Sequence, residues 1–293
     1  MLVPALAAAL ALTAQSPITS DIVTTYEGVP EAAQIDFETA ASIWETCLIS
    51  DVPIHVHVKW MPGGPTGFAG HNSVRNKRYL PKRNVDYPTA LASAMRGRAV
   101  TDEDDMNIFF RDKDNWHYAA NDPIADGAID FIKVALHEIG HGLGISSSVY
   151  IPWEGEPVAT IGRPNDDLDY FTWTFTWPEL NGTPELYDTF IKLADGRRIT
   201  RDFEDGTPAL IEALANPTIH FDGKHATAAN YGFPVGVVPL NISHIPQFPR
   251  RPPPIMLAAG GEGVSPRHPD KILLGMLRDL GWEITDACLE RAV

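Results

Sequence analysis

From Pro30 the chain repeats apolar residues at intervals of three and four: Ala33, Phe37, Ala40, Ala41, Trp44, Cys47 and Leu48. That spacing predicts a long amphipathic helix with Pro30 suited to its first turn. The stretch "PIHVHVKWM" then sets Ile54, Val56 and Val58 against His55, His57 and Lys59, the period-two pattern of a half-exposed strand. A polar strand face explains its histidines more simply than a metal does. Residues 62–105, rich in Gly, Pro, Asn and Arg, read mostly as loop with a short helix around "YPTALASAM", and "MNIFF" follows as a second strand. Between Ile129 and Leu143 the chain is apolar on most sides, with Ile132, Leu136, Ile139 and Leu143 on one stripe, so a largely buried helix is expected. Beyond Gly144 the texture turns irregular. Short helices are expected at "YDTFIKLA" and "TPALIEALA", an extended connector at "PRRPPP", and a closing helix in "DKILLGMLRDLGW" with Asp270 as N-cap and Gly281 as stop.

This pattern predicts an α+β fold. A small twisted sheet and the buried helix would fill residues 17–146, and an irregular sub-domain, residues 147–293, would lie across a cleft. The segment before residue 17, apolar from Leu2 to about Ala14, is too short to span a bilayer and fits the core of a signal peptide, so residues 1–16 read as a leader and the protein as secreted. No later stretch is long and apolar enough to cross a membrane. Net charge is −15, and no basic cluster interleaved with aromatics occurs, which argues against nucleic acid as a partner. In an exported chain the two cysteines, Cys47 and Cys288, are expected to pair. Closing so long a loop is worth roughly 4–5 kcal/mol in chain-entropy terms.

The chemistry sits in "LHEIGHGLGISSS", residues 136–148. On a helix His137 and His141 project from one face a turn apart, near enough to hold one zinc ion, while Glu138 lies about 100° further round. From there its carboxylate can act as general base toward a water without being a ligand. Gly140, Gly142 and Gly144 crowd the end of this helix, where each costs up to about 1 kcal/mol, so propensity does not account for them. Close backbone approach and a left-handed exit do.

"HEIGHGLG" resembles the metzincin signature of zinc proteases, H-E-x-x-H-x-x-G-x-x-H. In that pattern the third histidine would stand at 147, where this chain has Ser147. A catalytic zinc usually takes three protein ligands. Other donors lie downstream: Glu154, Asp166, Asp167, Asp169, His220, His225, His244 and His268. The order "HEIGHGLGIS", "ISH", "PIML" and a final "ILLGMLRDLGW" is similar to a group of secreted zinc proteases with Ser-His before a methionine turn. That resemblance implies His244 as third ligand and Met256 in the turn beneath the metal, with His225 or His220 as the next choices. It also implies that "MNIFF" forms the edge to which an extended substrate adds. Ala258 stands where some metzincins carry a tyrosine, which leaves the oxyanion partner unassigned beyond zinc.

The expectation is a zincin-like zinc endopeptidase, monomeric and acting on protein or peptide substrates, with Glu138 as base. Two alternatives compete with it: a zinc-binding module or inactive pseudo-protease, and a zinc hydrolase of a non-peptide substrate. A structural Ca2+ could sit among "TDEDDMN", "RDKDN" or "NDDLDY", though none matches an EF-hand loop and solvated loops explain them better. Sequons occur at Asn181 and Asn241.

Overall fold

The apolar spacing after Pro30 produces helix α1, Glu31–Cys47, and buries Ala33, Phe37, Ala40, Ala41, Trp44 and Cys47 along one face. It connects two parallel strands, β1 (Ile22–Glu27) and β2 (Ile54–Met61). A computed structural model describes residues 19–113, 115–118, 123–151, 159–162, 182–247, 252–258 and 267–292. The leader expected at 1–16, the sequon at Asn181 and the donors Glu154, Asp166, Asp167 and Asp169 lie outside these residues. Among the described residues no helix is long and apolar enough to cross a membrane.

The protein is mixed α/β, with one four-stranded sheet and several two- and three-stranded ones. Strand β3, Gly67–His71, lies within the stretch read as loop; α2 (Thr89–Arg96) and β4 (Met106–Arg111) follow it. Spatial order in the main sheet is β1-β2-β4-β3, with β4 parallel to β2 and antiparallel to β3. "MNIFF" is therefore an inner strand, paired on both sides, and the edges belong to β1 and β3. The expectation that "MNIFF" forms the substrate edge is corrected here. Met106, Ile108 and Phe110 are fully buried on one face of the strand, while Asn107, Phe109 and Arg111 on the other are half-buried. Strand β3 leaves no periodic signal because "GFAGH" carries too few large apolar residues to show alternation. On β2, His57 bonds Thr25 and Glu27 at 2.7 and 3.3 Å, as a polar strand face should.

Helix α3, Phe131–Gly142, packs against α1 and β3. In the C-terminal half, α4 (Pro208–Leu214) stands where "TPALIEALA" predicted it, whereas "YDTFIKLA" yields only a 3₁₀ turn, Tyr187–Phe190, that runs into a strand at Ile191–Lys192. That strand joins His220–Phe221 and Val235–Gly236 in a small sheet. Helix α5, Lys224–Ala229, packs on α6, Lys271–Leu280, where Asp270 accepts the N–H groups of Ile272 and Leu273 and Gly281 ends the helix at φ 118°.

The C-terminal segment returns to the end of α1. Leu48–Ile49 pairs with Glu283–Ile284, and Cys47 and the Cys288 of α7 (Asp286–Arg291) are joined by a disulfide across 241 positions. Because the bond restrains the unfolded chain, Cys47→Ser is expected to lower unfolding stability by about 2–5 kcal/mol. Equilibrium urea unfolding with intact and reduced wild type as references checks this, and an unchanged midpoint would contradict it.

Candidate metal centre

Helix α3 starts where Asp130, wholly buried, accepts the backbone N–H of Lys133 and pairs with Arg267 at 2.8 Å. Two indoles hold its backbone further on: Trp44 Nε1 donates to Leu136 O at 3.1 Å and Trp282 Nε1 to Leu143 O at 2.9 Å. The second bond satisfies a carbonyl that the helix end leaves unpaired. The glycines then find their reasons. A Cβ on Gly140 would lie 2.8 Å from Met256 Sδ, and Gly144 leaves the helix at φ 116°. Met256, fully buried, thus packs against α3 at Gly140.

His137, His141 and His244 come together with one ligand atom from each inside 4.8 Å. The turn that delivers His244 is tied down on several sides. Tyr187 Oη donates to Ile242 O at 2.6 Å, His244 O accepts the Val238 N–H at 2.9 Å, and Ile245 N donates to Met256 O at 2.8 Å. Ser147 does not ligate; its backbone N–H donates to Ser243 Oγ at 3.0 Å, so the position six after His141 rests against the residue before His244. His220 bonds Thr218 O, His225 sits on α5 and His268 lies beside the disulfide. Those alternatives are not in the cluster.

The donor chemistry of the cluster is specific. His137 Nδ1 lies 2.7 Å from Ile255 O and His141 Nδ1 lies 2.6 Å from Ile145 O. A carbonyl only accepts, so both Nδ1 atoms carry the proton and both Nε2 atoms present lone pairs. These Nε2 atoms face each other at 3.0 Å. Burial, together with the neighbouring imidazoles, holds His137 down to about 3 and His141 well below its usual range, so a shared proton does not relieve the contact. A cation does. Imidazoles bound to one tetrahedral zinc at about 2.0–2.1 Å have their nitrogens roughly 3.3–3.4 Å apart, close to what is seen. The other group of metal-type donors among the described residues, Cys47, His268 and Cys288, has both sulfurs committed to the disulfide. Of the acidic stretches considered for Ca2+, Asp105 spends a carboxylate oxygen on the N–H of His55 at 3.0 Å, and "NDDLDY" lies outside the described residues.

Glu138 lies next to the histidines, buried, with Oε2 lacking any hydrogen-bond partner. Desolvation raises its pKa to about 8. A nearby cation would reverse that shift. Its carboxylate occupies space that Gly67 vacates on β3: a Cβ there would stand 2.5 Å from Glu138 Oε1. The cleft above, about 910 Å³, is walled by Gly67, Phe68 and Ala69 on one side and by Ser147, Ser243 and His244 on the other. Gly67→Ala should therefore move the flexible carboxylate rather than break the fold. A displacement of the order of 1 Å at a reacting group is worth roughly 10²-fold in rate. The variant is expected to keep the wild-type melting temperature and, on the peptidase reading proposed below, to lose that much kcat/KM on casein; wild-type kinetics would refute it.

A family model described as SPBPB7E8-like matches residues 78–163. The match takes in α2, β4 and α3 with His137, Glu138 and His141, covers less than a third of the chain and stops well before His244. Its description names no activity. No curated protein and no solved structure matches the chain.

Several functional groups gave no sequence signal. Gly67 lay in a segment without periodicity, and the carbonyls of Ile145 and Ile255 are backbone atoms that no motif marks. The same holds for His71, at the end of β3, whose Nε2 stands 2.8 Å from Glu185 Oε2 with both side chains almost inaccessible. That pair fastens the edge strand to the C-terminal half.

Proposed function

We propose that this protein is a zinc-dependent endopeptidase of zincin type, acting on protein or peptide substrates outside the cell. The observation that carries the reading is the convergence of one ring nitrogen from each of three histidines, one of them about a hundred positions downstream, beside a buried carboxylate with an unpartnered oxygen. When bound, zinc supplies a Lewis acid and lowers the pKa of a water to near neutrality. His137, His141 and His244 would hold it, leaving the fourth position open to the cleft. Glu138 would take a proton from the attacking water through Oε2 and hand it to the leaving amine. Around these groups Met256 and the indole-held α3 fix the histidine positions, and Gly67 gives the carboxylate its room. Strand β3 pairs on one side with β4, and its residues line the cleft, so an extended peptide could add along its outer edge with main-chain hydrogen bonds.

The test is zinc stoichiometry with casein hydrolysis on one preparation. One zinc per chain is expected, with hydrolysis abolished by a chelator and restored by one equivalent of Zn2+. Bound zinc without turnover on casein or a broad peptide library would favour a binding module, and turnover that survives complete zinc removal would overturn the proposal.

A further inference from the structure

The three histidines are not oriented alike. His137 and His141 give their Nδ1–H to the carbonyls of Ile255 and Ile145, groups that no side-chain substitution can remove. His244 instead turns its Nδ1 toward a side chain, Asn241 Oδ1, at 2.8 Å. The two residues belong to one tight turn, in which the His244 N–H also donates to Asn241 O at 3.1 Å. Asn241 is exposed at the rim of the cleft, while the His244 imidazole is pushed below its usual pKa by burial.

We infer that Asn241 is the positioning residue for the third metal ligand. Its amide oxygen fixes His244 in the tautomer that carries hydrogen on Nδ1 and so presents the Nε2 lone pair to His137 and His141. The inference rests on the zinc reading above. Its physical basis is general: a ligating imidazole needs an acceptor on its other nitrogen to set ring orientation and tautomer, and loss of that acceptor typically weakens metal binding 10- to 100-fold. The asymmetry has a consequence for this site. Two ligands are locked by the main chain of α3's exit and of the Met256 turn, so the affinity that a side-chain change can tune is concentrated at the third. Asn241 also heads the sequon Asn241-Ile242-Ser243. A glycan attaches at the amide nitrogen, the atom not used in this bond, and would stand over the cleft without removing the acceptor.

The experiment compares wild type, Asn241→Ala and Asn241→Asp, produced in a host without N-glycosylation so that only the hydrogen bond differs. Zinc affinity is read by competition with a chromophoric chelator, and folding by circular dichroism and melting of the zinc-free proteins. Asn241→Ala is expected to bind zinc about 10- to 100-fold more weakly with the zinc-free melting temperature unchanged. Asn241→Asp, an acceptor that cannot present a donor in its ionised form, is expected to bind at least as tightly as wild type. Equal affinity in Asn241→Ala and wild type overturns the inference, as does an equal loss in the Ala and Asp variants, which would reduce Asn241 to a turn former. A wild type that binds no zinc at all would instead overturn the zinc reading itself, so the two failures are told apart.

Discussion

Glu138→Gln is expected to retain one zinc per chain and to lose peptidase activity by a factor of about 10²–10⁴ or more, the range that removal of a general base produces. Glutamine keeps the volume and the fit against Gly67, and its amide cannot take the proton. The change also removes a buried carboxyl that burial alone holds up at about 8, so folding stability should not fall. A group whose folded pKa lies above its unfolded value opposes folding above that unfolded value; deleting it should raise, at neutral and alkaline pH, the stability of the zinc-free protein. Both readouts come from one purified variant: casein hydrolysis and elemental zinc for the first, urea midpoints at pH 5 and 8 for the second. A Glu138→Gln protein with full activity would remove the base from the mechanism.

The second large effect belongs to His244→Ala. Two imidazoles hold zinc far less well than three, so this variant is expected to lose stoichiometric zinc during dialysis and with it all measurable hydrolysis, while His225→Ala keeps both. The contrast discriminates because the two histidines are equally plausible as residues and differ in place. His244 stacks at 5.2 Å from the His137 ring, whereas the backbone of His225 is bound to Asp279 at the start of α5. Retention of zinc and activity by His244→Ala would leave the geometry of the cluster without a function.

How much of this could be read in advance depended on how local the signal was. Helices α1 and α6 were legible because their periodicity is complete and their caps are side chains, Asp270 and Gly281 in the latter case. The pair His137 and His141 was legible for the same reason, since helical geometry places residues four apart together without help from the rest of the fold. His244 was not derivable from spacing. It reaches the helix because its turn accepts hydrogen bonds from Tyr187 and Val238 and donates one to the Met256 carbonyl, contacts that exist only in the assembled protein. The resemblance supplied the residue, and the structure supplies the reason it can arrive. Strand β3 failed in the opposite direction: its wall position demands small residues facing Glu138, and Gly67 and Ala69, which fit there, erase the alternation by which strands are recognised. Where the fold needs backbone close to chemistry, the pattern goes silent.

The two indole bonds on α3 join partners 92 and 139 positions apart, one reaching forward from Trp44 and the other back from Trp282. During synthesis the first clamp can close early, but the second waits until Trp282 has left the ribosome, and the Cys47–Cys288 bond waits slightly longer. A nascent or truncated chain ending before Trp282 therefore carries the reactive helix with one end unfastened.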